Sequence, residues 1–250
     1  MNVEHTPIRS LRQDPTLLER ARELIKDPSL PDLTDAANCI FVGHPRSGHS
    51  LVGALLDAQP DAIVAHELDL LGFLKNGIES AELLLALCIE RSRWFHEQHH
   101  SWGEFEYEVP GGWQGRWKSL RLIGDKKGGR TTLRLMKQPN LLEQLGHTFG
   151  RMPTVIHVAR HPLDNIATMS VKRQEPLALT IEEFFKRARG VESIRSRHPA
   201  SDWIEIDFES FRQHPAEGLR DLASRILSNP DETILESAAS IVRQEPSRSR

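Results

Sequence analysis

The segment Gly43-His-Pro-Arg46-Ser47-Gly48-His49-Ser50 joins a short apolar run, Cys39 to Val42, to a stretch with helical patterning. A glycine-bearing turn between a buried strand and a helix gathers backbone N–H groups and the positive end of a helix around one point. That makes a nest for an anion. Arg46 adds a fixed charge, and Ser47 and Ser50 add hydroxyl donors. The bland alternative is a structural turn with Arg46 in solvent.

Its spacing equals that of the triphosphate-binding loop G-x-x-x-x-G-K-[ST], with His49 at the lysine position. A second candidate anchor follows the apolar run 154–159, where Arg160 stands at the run's end and Pro162 suits the first turn of a helix. An arginine placed there can grip a phosphate with two N–H groups. Thr168, two turns on, can present its hydroxyl on the same side, with Ser170 as the substitute. Taken singly, Arg160 could equally be an ion-pair partner, and Thr168 a helix hydroxyl bonded to its own turn. Two further sets of ionisable residues close apolar runs: His66-Glu67 after residues 62–65, and Lys126-Lys127 after residues 120–123, in Gly-Asp-Lys-Lys-Gly-Gly.

These positions need elements to hold them. Short apolar runs bounded by turn residues predict strands at 39–42, 62–65, 120–123, 154–159 and 203–206. Helical patterning predicts helices at 14–26, 50–58, 68–75, 80–95, 133–145, 162–171, 181–195 and 216–227. Apolar strands alternating with helices mean βαβ units with a parallel sheet buried on both faces. The expected fold class is therefore α/β, a three-layer α/β/α sandwich with a central, mainly parallel sheet of the P-loop nucleotide-binding type. The expected organisation is an N-terminal helical extension over 1–35, one catalytic domain over 36–236 and a polar tail over 237–250. Ligands of such sheets collect at the carboxyl ends of the strands, which is where all the residues above fall.

The segment Pro-Arg-Ser-Gly-His-Ser resembles the 5′-phosphosulfate loop of the sulfotransferases that use 3′-phosphoadenosine 5′-phosphosulfate (PAPS). The family pattern there is roughly P-[KR]-S-G-T-[TS]. Arg160 and Thr168 keep the eight-residue spacing of the family's 3′-phosphate motif, R-x-P-x-D-x-x-x-S. Residues 204–222 resemble its late strand and helix, a stretch expected to be architectural. The resemblance spans about residues 36–230. It implies donor contacts from Arg46, Ser47, Gly48, His49, Ser50, Arg160 and Thr168. It also implies a general base from Glu67, with His66 as alternate, and charge stabilisation on the leaving phosphate from Lys126 or, failing that, Lys127. On residue type alone, Glu67 could instead cap the helix that follows. His49 departs from the family's threonine and Leu51 from a tryptophan that stacks on adenine. The C-terminal R-K-G segment is missing, with Arg243 its weak substitute. The implied donor is PAPS, with PAP as product and no metal. The acceptor would be a hydroxyl or amine on a small molecule or glycan. The rival readings are a P-loop kinase or NTPase, and a PAP-binding protein of the same fold without activity.

Composition sets limits. A net charge of −3 over 250 residues gives no general attraction to nucleic acid or to an anionic membrane, so any anion site is local. Cys39 and Cys88 lie in apolar runs and read as buried thiols of a reducing compartment. The N-terminal residues lack the apolar core of a signal peptide, and no run is long enough for a membrane span. The expected location is the cytoplasm; a homo-oligomer stays open. His96, His99 and His100 carry helical spacing, but with only Glu97 nearby they are not expected to bind metal. Trp94, Trp102, Trp113 and Trp117 crowd one irregular region, as a lid or as the wall of an acceptor pocket.

Overall fold

The structure is a computed structural model that describes residues 16–31, 36–98, 101–102 and 105–242. Five strands, β1 (Ala37–Val42), β2 (Ala62–His66), β5 (Leu122–Lys126), β6 (Thr154–Ala159) and β7 (Trp203–Asp207), form one sheet in the order β2-β5-β1-β6-β7. Every neighbouring pair in it is parallel. A separate two-stranded ribbon, β3 (Ser101–Trp102) with β4 (Phe105–Glu106), lies in the irregular region.

Alternate strand residues feed two cores. Ile40, Val42, Ile63, Ala65, Ile123 and Val155 pack under α1 (Leu17–Leu24), α3 (Leu70–Lys75), α4 (Ala81–Glu97), α5 (Gly128–Lys137), α6 (Leu141–Thr148) and α8 (Leu177–Arg195). Cys39, Phe41, Val64, Ile156, Val158, Ile204 and Ile206 face the other way. They pack under α2 (His49–Asp57), α9 (Phe208–Gln213), α10 (Pro215–Ile226) and α11 (Glu232–Ser240). The remaining helix, α7 (Pro162–Arg173), follows β6. Helices on both faces of a parallel sheet make the expected α/β sandwich, and both cysteines are free and buried.

The structure departs from the sequence reading in several places. β5 runs to Lys126 rather than stopping at Ile123, because the two charges it buries, Asp125 and Lys126, both have partners. The helix expected over 133–145 is two helices: α5 starts earlier, at Gly128, and ends at Lys137, and Leu141 opens α6. Helix α11 crosses residue 237, where the polar tail was expected to begin. Ile234, Leu235 and Ala238 bury one side of it in the core. Finally, α1 begins at Leu17 and ends at Leu24, where a helix over 14–26 was expected; residues 14 and 15 lie outside the described residues. Leu17 and Ala21 are fully buried in the core, so this helix is built into the domain.

With all five strands parallel, their carboxyl ends share one edge of the sheet. β1 is its middle strand, and the chain passes from β1 to one side of the sheet and later to the other. The crevice beside β1 is thus the switch point where ligands of open α/β sheets bind.

Candidate active site

The loop after β1 is built by backbone conformation. Gly43 and Gly48 adopt φ of 129° and 103°, and Arg46, between them, adopts 67°. A left-handed arginine costs on the order of 1 kcal/mol, and such residues cluster at functional sites. Gly48, the N-cap of α2, is held from below: a Cβ there would lie 2.2 Å from the ring of Phe208, at the start of α9. Gly48→Ala therefore meets a steric clash and a disfavoured φ together. It should lower stability by about 2–4 kcal/mol in urea unfolding and distort the loop.

The lower half of the loop is tied by side chains. Gly43 N–H donates to Thr132 Oγ1 at 2.8 Å, and Asn165 Nδ2 donates to the Pro45 carbonyl at 3.1 Å. Ser47 Oγ donates to the His44 carbonyl at 2.9 Å. His49 is buried, and its Nε2–H donates 2.9 Å back to the Val42 carbonyl. Burial pushes its imidazole down to about 3, so it is neutral. His49 thus occupies the lysine position of a triphosphate loop without supplying charge. What it offers an anion is its backbone N–H. Arg46 remains, exposed at the loop's crown.

Arg160 sits close by. Its Nη1 donates to the Arg46 carbonyl at 3.0 Å, and its Nε lies 3.9 Å from Glu209 Oε1. Glu209 also accepts the His161 N–H at 3.1 Å, which seats the start of α7. Thr168 is buried, with Oγ1 donating to the Asp164 carbonyl at 2.7 Å, and Ser170 Oγ donates to the Glu175 carbonyl at 2.7 Å. Both hydroxyls are bonded within their own helix region in this state.

The ionisable residues at the ends of β2 and β5 meet. Glu67, at φ 60°, places Oε1 2.7 Å from Lys126 Nζ and Oε2 2.7 Å from Lys127 Nζ. Lys126 Nζ also donates 2.7 Å to Ser50 Oγ, in the first turn of α2. The stem of Lys126 lies on Gly53, where a Cβ would come within 2.8 Å of its Cγ. Both lysines are almost wholly buried, while the Glu67 side chain keeps 26% of its exposure. Burial pushes the Glu67 carboxyl up, but the two lysines more than reverse this and hold it well below the usual carboxylate range. Burial also lowers Lys126, against the pull of Glu67.

Glu67 stands on a pinned turn. Asp125 accepts N–H groups from Leu68 at 3.0 Å and Leu70 at 2.7 Å, and Arg91 Nε donates to the His66 carbonyl at 2.6 Å. Asp69, also left-handed at φ 69°, takes a two-pronged contact from Arg134 and a second ion pair from Arg130. His66 is buried, stacked on Phe95 at 3.8 Å, and burial holds it well below the ordinary imidazole value. Tyr107 shares a small apolar cluster with Phe95 and Ala54, with Trp94, Phe105 and Leu51 against it.

Trp94, Trp113 and Trp117 do not form one wall. Trp113 and Trp117 pack against opposite cores, Trp94 lies at the Tyr107 cluster, and Trp102 falls in the short ribbon. Among the described residues no group of His, Cys, Asp and Glu could hold a metal ion, and no helix is long and apolar enough to cross a membrane. His99, His100 and Arg243 lie outside the described residues.

Several residues in contact with the site were not singled out by the sequence: Thr132, Asn165, Asp125, Asp69 and Phe208. Glu209 was noticed only as part of an architectural stretch. Phe208 and Glu209 follow β7 at the same sheet edge as the loop, and their position after a strand was the available signal.

Residues 39–226 match the family model described as "Sulfotransferase family". Of solved structures, the chain is similar to the sulfotransferase domain from the Synechococcus PCC 7002 olefin synthase. Identity is 17%, the TM-score is 0.52, and 87% of this chain and 84% of that one are covered. It is also similar to the sulfotransferase STF9 from Mycobacterium avium, at 11% identity and TM-score 0.50, covering 93% of this chain and 75% of that one. No curated protein sequence matches significantly.

Proposed function

Since the chain belongs to the sulfotransferase family, we propose that it transfers a sulfuryl group from PAPS to a hydroxyl or amine acceptor. The observation that carries this reading is the convergence at one sheet edge of an anion loop, a second arginine and a lysine-bound carboxylate. The loop N–H groups with Arg46, Ser47 and Ser50 would hold the 5′-phosphosulfate. Arg160, with Thr168 after a change of hydrogen-bond partner, would hold the 3′-phosphate.

In the reaction the acceptor oxygen or nitrogen attacks sulfur in line with the bond to the phosphate oxygen. The new bond to sulfur forms as the sulfur–oxygen bond breaks, and its electron pair leaves on the phosphate of PAP. Glu67 takes the acceptor's proton, and Lys126 stabilises the charge growing on the departing oxygen. His66, neutral and stacked on Phe95, is less well placed to exchange protons with an acceptor. The side chains of Tyr107, Phe105, Trp94 and Leu51 gather near Ser50 and His66, and we assign the acceptor to that side. The acceptor is then a small molecule or the end of a glycan.

Calorimetric titration with PAP, ADP and ATP tests the donor assignment. PAP tight with ATP weak supports it, and ATP tight with PAP weak would replace it with a triphosphate site. Arg46→Ala and Arg160→Ala should each weaken PAP binding by about 1.5–3 kcal/mol, the scale of a lost charge-assisted contact. Folded variants that bind PAP like the parent would overturn the assignment. A PAPS-dependent screen of alcohols, amines and glycans then identifies the acceptor.

A further inference from the structure

Lys126 is shared between two parts of the site. An ammonium has three N–H donors, and the structure directs two of them, at 2.7 Å each, to Ser50 Oγ and Glu67 Oε1. Ser50 belongs to the anion loop, so this cation lies between the loop and the carboxylate. Lys127 closes the other oxygen of Glu67 at 2.7 Å and also donates to the Glu67 carbonyl at 3.2 Å. A carboxylate gripped on both oxygens by ammonium groups is a weak proton acceptor, because protonating it breaks two ion pairs.

Glu67 has little freedom to leave this grip. Its N–H donates to the Lys126 carbonyl at 3.3 Å, the His66 carbonyl before it is held by Arg91, and the N–H of Leu68 after it is held by Asp125. The part of the network that can change is therefore the charge around the lysines.

We propose that the two lysines keep Glu67 inactive as a base in the donor-free protein, and that an anion seated in the loop activates it by drawing on Lys126. This rests on the reading of the loop as the PAPS site. A phosphosulfate on the Ser50 side takes part of the Lys126 charge and adds its own negative charge near Glu67. Both changes raise the carboxylate's affinity for a proton. One lysine then serves the leaving group and times the base, and an acceptor meeting the enzyme without donor is not deprotonated.

The titratable groups that face Glu67 come from several elements: Lys126 on β5, Lys127 before α5, His66 on β2, His49 on α2, Asp125 on β5, and Tyr107. Burial keeps His66 and His49 neutral well below the ordinary imidazole value, His49 down to about 3, and buried Asp125 takes up its own proton at about 7, above the range in which Glu67 is followed.

The experiment follows the carboxyl carbon of Glu67 by NMR in protein labelled at glutamate side chains, with Glu67→Gln supplying the assignment. The probe is PAP, so no acceptor is needed. In the free protein the Glu67 signal should not titrate down to the acid limit of folding. With PAP saturating, its midpoint should move up by at least about one pH unit, to a proton concentration about tenfold lower. Lys126→Gln without nucleotide should bring the midpoint up on its own. If PAP binds and the midpoint does not rise, or if Lys126→Gln leaves it unmoved, the proposal is overturned. Failure of PAP to bind at all, with Lys126→Gln raising the midpoint as expected, refutes the donor reading and with it the trigger. It leaves the lysine grip itself established.

Discussion

Glu67→Gln lowers kcat for sulfuryl transfer by about 10²–10⁴, the usual contribution of a general base, while PAP binds as tightly as before or tighter. The amide keeps the shape of the carboxylate and can still accept from Lys126, so the turn held by Asp125 and Arg91 should stay in place. What disappears is the proton-accepting oxygen and one negative charge between two buried lysines. Losing that charge leaves Lys126 and Lys127 more positive toward an incoming phosphosulfate, which is why affinity should not fall. The measurement is steady-state kinetics with the acceptor returned by the screen, paired with PAP calorimetry on the same preparations. His66→Ala should cost less in kcat. If Glu67→Gln retains more than about a tenth of the parent kcat while His66→Ala is inactive, the two roles are exchanged. If both variants turn over normally, the base is another group, and exposed His161 at the head of α7 is next to test.

The class of fold was readable because parallel strands buried on both faces leave short apolar runs, and every run of that kind became a strand. The strand ends were harder to read where function sits. Asp125 and Lys126 looked like the start of a loop, since a charge rarely enters a sheet unpaired. Here both are buried in β5, and their partners lie on other segments, Leu68 and Leu70 for one and Glu67 and Ser50 for the other. No local pattern announces such a pairing. The ion cluster of Glu67 with Lys126 and Lys127 was visible only as two separate pairs of ionisable residues ending two strands. The order β2-β5 that makes them neighbours was not in reach. Likewise Arg46 and Arg160 were each legible from spacing. The contact that brings them together depends on β6 lying beside β1, and the Glu209 that draws on Arg160 depends on β7 lying beside β6.

His49 shows how an unexpected residue in a motif can be explained by burial, and it leads to the second large effect. Its Nε2–H donates to the Val42 carbonyl, and the ring lies edge-on to Phe41, inside the protein rather than over the loop. Burial holds it at about 3, against an ordinary 6.5. The sign follows from which state takes up protons. Below pH 6.5 the unfolded chain protonates this histidine while the folded one does not. The stability its neutral burial contributes is therefore intact above that pH and lost progressively on the way down toward 3. His44, stacked on Phe184 and held at about 4, acts in the same direction. Buried Asp57 and Asp125, both raised to about 7, act in the opposite direction over the same range. A bare pH profile of the parent would mix these contributions, but a comparison with His49→Gln isolates one. Glutamine can still donate to the Val42 carbonyl and has no proton to gain. Between pH 7 and about pH 5 the parent should lose about 2 kcal/mol relative to His49→Gln, from 1.36 kcal/mol per pH unit below the unfolded value. Urea unfolding of both proteins at the two pH values measures it. An unchanged difference between parent and variant would mean that His49 carries a proton in the folded state. The loop would then hold a second cation beside Arg46, and PAP affinity should in that case rise as the pH is lowered.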